Sequence, residues 1–148
     1  MSAVRTLAWA LTLAGALPFL IATVFLYASD TARIRVPAIT ALVTYSAVIL
    51  SFLGGIQWGL ALREGTATEV DRARALGWSV VPSLAAWGVL WLPSSLSQLV
   101  GAFLVLLCAW GADVHFSRRS IVPAWFLVLR TTITALVGAT LLAAAARL

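Results

Sequence analysis

Five stretches of this chain stay apolar for long enough to cross a hydrocarbon core, which takes about 20 helical residues. They run roughly Leu7–Ala28, Pro37–Leu62, Ala73–Leu92, Leu96–Ala112 and Ala124–Ala146. No other feature constrains the fold as tightly. Within lipid a backbone must satisfy its own hydrogen bonds, and successive apolar segments do that as helices. The expected fold is all-α: one transmembrane domain over residues 1–148, a polytopic bundle of five transmembrane helices. Composition points the same way. The chain is 62% hydrophobic and 10% charged, with a mean hydropathy of +1.03, whereas a soluble domain carries about a quarter charged residues. So few polar groups cannot cover so apolar a core, and the lipid bilayer is the first partner implied.

All 10 cationic side chains are Arg, which reads as codon bias rather than an Arg-specific chemistry. A pI near 11.1 would suggest nucleic acid in a soluble protein. Here the Arg residues sit in short loops between apolar runs, where they set orientation and meet anionic headgroups, so no nucleic-acid partner is expected. Arg5, Arg63, Arg72, Arg74, Arg118 and Arg119 flank one side of the spans, against Arg33, Arg35 and Arg147 on the other. The excess places the N-terminus in the cytoplasm and the C-terminus outside. The first run is too long for the apolar core of a signal peptide and lacks a strong cleavage site, so it is expected to be retained, with no transit peptide before it.

Local signals refine the spans. Thr68 and Asp71 have capping-box spacing, so the third helix should begin near Glu69. Pro93-Ser94-Ser95 is a tight turn that makes the third and fourth spans a hairpin. Pro123 suits a helix start, while Pro18 and Pro82 fall inside spans and should kink them.

Span two holds the most distinctive segment, Ser51-Phe52-Leu53-Gly54-Gly55-Ile56-Gln57-Trp58-Gly59. Ala47, Ser51, Gly55 and Gly59 recur every fourth residue and form a small-residue ridge, with a GxxxG pattern at its end. Such a ridge serves internal helix packing or, alternatively, self-association. Depth follows from helical rise: Gln57 lies about 9 Å from the inner end of span two, and Arg130 at a similar depth in span five. Trp58, Trp78, Ser79, Trp110 and Asp113 fall near the same level, so these residues are expected to form a polar and aromatic layer in the inner leaflet. Inside it Arg130 has several options: to snorkel to the interface, to pair with Asp113, to bond Gln57, or to serve a substrate.

Catalytic patterns are missing. Neither GxSxG, HExxH, a P-loop nor GxGxxG occurs. Asp113 and His115 are read as part of a loop running to Arg119, and one carboxylate beside one histidine is too few ligands for a metal. Cys108 is the single cysteine, which rules out an internal disulfide or a thiolate metal site. No enzyme activity, cofactor or metal is therefore expected.

The run Tyr45-Ser46-Ala47-Val48-Ile49-Leu50-Ser51-Phe52-Leu53-Gly54-Gly55-Ile56-Gln57-Trp58-Gly59-Leu60-Ala61 resembles the transmembrane protein 69-like family, which carries a domain of unknown function. Val80-Val81-Pro82-Ser83-Leu84-Ala85-Ala86-Trp87 and Pro123-Ala124-Trp125-Phe126-Leu127-Val128-Leu129-Arg130 extend the resemblance to nearly the whole chain. It implies a small multi-span protein of a bacterial or mitochondrial inner membrane, with no activity attached. In that family a His often stands where this chain has Gln57. Gln is a poor metal or haem ligand but keeps both a donor and an acceptor.

These readings lead first to a non-enzymatic structural or accessory subunit of a membrane complex, in the inner membrane of a bacterium. Its partners would be other membrane subunits or a second copy of the chain, met through span two. The alternative is a small transporter or lipid-binding protein that uses the polar layer around Gln57 and Arg130, which requires a cavity at that depth.

Overall fold

A computed structural model describes residues 3–65 and 67–148, and every regular element among them is helical. The helices are α1 (Ala3–Ala14), α2 (Leu17–Ala28), α3 (Ala32–Leu62), α4 (Glu69–Ser79), α5 (Val81–Val89), α6 (Ser95–Ser117) and α7 (Ala124–Ala146). Four segments are long and apolar enough to cross a membrane: Ala3–Ala28, Ala32–Leu62, Ser95–Ser117 and Ala124–Ala146.

The stretch expected as the third span, Ala73–Leu92 with a kink at Pro82, is α4 followed by α5, interrupted at Val80. Pro82 has no N–H with which to bond the Trp78 carbonyl, so the helical ladder loses a rung there. α4 starts at Glu69, as the Thr68 signal predicted: the Thr68 hydroxyl accepts from the Asp71 N–H at 3.1 Å and donates to Asp71 Oδ2 at 2.9 Å. Pro18 has the same effect on the first span, which breaks between α1 and α2 at Gly15 and Ala16.

α6 is longer than its apolar run suggests. It begins behind a capping box at Ser94 and Ser97 and continues to Ser117, five residues beyond Ala112. The segment read as a loop is therefore helical through Ser117. The helix closes in a Schellman turn, with Ile121 N–H bonded to Phe116 O at 3.1 Å and Ser120 N–H to Ser117 O at 3.1 Å. Ser120 takes the left-handed position, φ 60°.

Side-chain ties at the helix ends give the directions of the segments. Arg5 lies over the Trp125 ring, 5.5 Å from its centre, which brings the start of α1 to the start of α7. Tyr27 donates to the Ala143 carbonyl at 2.9 Å, and Arg147 pairs with Asp30, so α2 and α7 finish together. Arg35 donates to the Arg147 carbonyl at 2.9 Å, so α3 sets out where α7 stops. At the opposite end Arg72 covers the last carbonyls of α3, donating to Ala61 at 2.9 Å and Leu62 at 3.0 Å. Asp71 meets Arg119 at 3.4 Å nearby. Gln98 Nε2 bonds the Leu90 and Leu92 carbonyls at 3.0 and 3.1 Å and secures the α5–α6 turn.

The main core lies among α2, α3, α5, α6 and α7, with Phe19, Leu26, Leu42, Leu50, Leu99 and Leu141 almost fully enclosed. A smaller cluster of Ala61, Ala75, Phe116, Ile121 and Val122 closes the Arg72 end. Lipid tails are as apolar as these side chains, so packing quality rather than transfer from water holds such cores together. α1 stands apart, with no buried residue.

Candidate functional site

On α6 the buried positions are Leu99, Ala102, Leu106, Ala109, Asp113 and Phe116, a run of threes and fours. Asp113 thus falls one turn beyond Ala109 on the inward stripe, because the helix does not end where the apolar run does. On α7 the inward stripe carries Arg130, Thr134, Val137 and Leu141. The two stripes face each other, and Arg130 Nε donates to Asp113 Oδ2 at 2.7 Å. Arg130 is 2% exposed. The guanidinium does not snorkel; it is held inside by a charge-assisted bond that neutralises it.

That bond leaves part of Arg130 unused. Nη2 is enclosed and has no hydrogen-bond partner. Gln57 is also buried and its Nε2 has no partner, and the side-chain hydrogen bond that Arg130 makes goes to Asp113 rather than to the Gln57 amide oxygen. Among the remaining residues of the expected layer, Trp110 Nε1 donates to Thr131 Oγ1 at 3.0 Å, which ties α6 to α7 a turn from the ion pair. Ser79 is buried and bonds its own helix at Leu76 O, 2.6 Å away. Trp78 packs against the smaller core cluster, while Trp58 is exposed. The structure joins Asp113 to Arg130 and bonds none of the other residues of the expected layer to the pair.

The small-residue ridge is displaced by one position from the face that packs. Ser51, Gly55 and Gly59 are exposed, and nothing lies within 4 Å of a Cβ built on either glycine. The internal-packing reading is corrected for these three, while Ala47 is half-buried against the main core: α3 buries Ser46, Leu50, Gly54, Gln57 and Ala61. Gly54 is the close approach. A Cβ there would sit 2.2 Å from the Ser79 carbonyl oxygen, so the Cα hydrogen in its place faces that oxygen. The Ser79 carbonyl lies at the break between α4 and α5, and only glycine lets α3 come so near it.

A cavity of about 350 Å³ occupies the other flank of α3. Leu11, Thr12 and Gly15 of the α1 region form one wall and Ile49, Phe52, Leu53 and Ile56 of α3 another. Leu106 of α6 and Arg130, Ile133 and Val137 of α7 complete it. Leu11 and Phe52 are exposed as well as lining, so the cavity reaches the outer surface between α1 and α3. Its walls are hydrocarbon apart from Thr12 and Arg130. Gln57 is not part of them, so the polar layer expected to line a cavity contributes Arg130 alone.

His115 is helical and exposed, its ring against Phe116 at 5.3 Å. Among the described residues no three His, Cys, Asp or Glu side chains converge on a metal position. Apart from Arg130 the cavity residues give no signal in the sequence, because in a membrane protein an apolar residue facing a void reads like one facing lipid.

Comparison with known proteins bears on all of this. The family described as "Protein of unknown function (DUF3429)" matches residues 4–146. Transmembrane protein 69 of Xenopus tropicalis is 32% identical over 126 residues, covering 84% of this chain and 47% of that protein. Transmembrane protein 69 of Mus musculus is 32% identical over 126 residues, covering 84% of this chain and 49% of its own. The chain spans about half the length of these curated relatives. No solved structure matches.

Proposed function

The chain belongs to the DUF3429 family of membrane proteins of unknown function, and from that premise we propose that it binds a hydrophobic molecule drawn sideways from the bilayer. The observation that carries this reading is the cavity of about 350 Å³ between α1, α3, α6 and α7, open at the surface that faces lipid. That volume lies in the range of small-molecule sites. The protein acts here by binding rather than by catalysis. Native mass spectrometry of protein released from mild detergent should show one retained acyl lipid or isoprenoid. Ala8→Trp, which fills the cavity from a helix with no buried residue, should abolish retention. Equal retention by both proteins would defeat the proposal.

The topology that accompanies this function has five crossings, α4 and α5 together forming the third, in the inner membrane of a bacterium. Supporting it, Glu69–Val89 covers about 30 Å at 1.5 Å per residue. The Arg residues also gather at two ends in the grouping that sets the N-terminus inside. Alkaline phosphatase fused to the C-terminus should be active, and an inactive fusion would reject an outside C-terminus.

A second reading, an accessory subunit, draws on the outward position of Ser51, Gly55 and Gly59. Small residues on a lipid-facing stripe permit another helix to approach. Gly55→Leu should then release a stoichiometric partner or a second copy during purification. Isolation as a monomer both before and after the substitution would reject it.

A further inference from the structure

Resting on the cavity reading above, we propose that the occupant carries a neutral carbonyl oxygen on an apolar body, as a quinone or an acyl ester does, and that the guanidinium of Arg130, which lines the cavity, donates to it. Three observations converge. The cavity wall is hydrocarbon apart from Thr12 and Arg130, so most of the ligand is apolar. Arg130 is 2% exposed and its Nη2 has no acceptor, although a buried donor without a partner is costly and rare in folded proteins. The charge of Arg130 is already met by Asp113 at 2.7 Å.

The last point selects the ligand's charge. A carboxylate or phosphate entering this site would leave water for a hydrocarbon wall and find an ion pair with no net charge to compensate it. A carbonyl group has little to lose on leaving lipid and supplies the one thing the site lacks, a lone pair for the guanidinium N–H groups that Asp113 does not take. The bond comes from a charged donor in a low-dielectric setting, where such bonds are strong. Asp113 has two parts in this arrangement: it neutralises Arg130 and, by holding Nε, fixes the guanidinium at the cavity wall.

The test is a ligand series on the intact protein in phosphatidylcholine nanodiscs. Partition of radiolabelled 2-decyl-1,4-benzoquinone, methyl laurate, dodecane and laurate is measured against empty nanodiscs. The quinone and the ester should bind about ten- to a hundredfold more tightly than dodecane, the worth of one hydrogen bond to a charged group. Whichever of the two binds more tightly identifies the source of the carbonyl. In the paired variant Arg130→Leu with Asp113→Leu, which removes the donor and leaves no uncompensated charge, that advantage should collapse to less than about threefold.

Dodecane binding as well as the carbonyl compounds would overturn this inference and leave the cavity reading standing. Laurate binding most tightly would also overturn it, in favour of an anion site. Failure of all four to bind above empty nanodiscs would remove both. Because the series is read first on the native sequence, the conclusion does not depend on the variant folding.

Discussion

The two flanks of α3 solve opposite problems with neighbouring residues. Toward α4 and α5, Gly54 brings the backbone so close that a single methyl group would strike the Ser79 carbonyl. Toward α1 and α7, Leu53 and Ile56 face a cavity large enough for a ligand. A third face, with Gly55 and Gly59, meets nothing within 4 Å among the described residues. One turn of one helix is therefore sealed, hollow and exposed on successive sides. Small residues mark close packing only when the partner helix lies on their side, and large apolar residues do not guarantee a filled interior.

The strongest way to break this contrast acts on the hollow side, through its ion pair. Asp113→Asn leaves Arg130 buried without a counter-charge, and stability should fall by about 3–5 kcal/mol. Thermal unfolding in detergent, followed by size-exclusion chromatography, measures the loss. Replacing both members with Leu should restore most of it, since a pair of apolar side chains is often as stable as a buried ion pair. A single variant as stable as the parent would mean that Arg130 finds water or headgroups and that the hollow side is wet.

Next in size comes the sealed side. Gly54→Ala forces α3 away from the α4–α5 break, which should cost about 1–3 kcal/mol as overpacking. The same substitution one residue later should have the opposite sign. Gly55→Ala adds a methyl group to open surface and improves helix propensity, a gain of about 0.5–1 kcal/mol. Equal effects at the two glycines would show that α3 is rotated from the orientation described. That comparison needs only two melting curves.

Much of this arrangement was legible in the residues, and the failures have physical causes. α7 runs from Ala124 to Ala146, the limits its apolar run suggests, because Pro123 marks one end and the hydrophobic run the other. α4 begins at Glu69, where the cap at Thr68 signals it. The end of α6 was misjudged because hydropathy stops at Ala112 while helical hydrogen bonding does not. As a result Asp113 looked like a loop carboxylate, although its spacing from Ala109 sets it on the inward stripe. The ridge on α3 was assigned one residue out of phase for a related reason. When lipid and protein interior are equally apolar, polarity no longer tells the two faces apart, and the four-residue repeat fits Leu50–Gly54 as well as Ser51–Gly55. The clustering of Asp113 with Arg130 was among the options drawn from depth alone. A cavity at the depth of Arg130 is what the lipid-binding alternative requires, but its apolar walls have no counterpart in any sequence pattern.

The bond between Asp113 and Arg130 also bears on how the chain enters the membrane. The two residues are 17 positions apart, one near the end of α6 and the other in the second turn of α7. An Arg at the centre of a lone helix raises the cost of insertion by about 2.5–3.5 kcal/mol, and Arg130, in the second turn, carries a smaller part of that cost. α7 by itself is thus a reluctant span, while its carboxylate partner emerges from the ribosome just ahead of it. The hairpin from Ser95 to Ala146 becomes the natural unit of insertion, its acid waiting in the bilayer or the translocon for the base that follows.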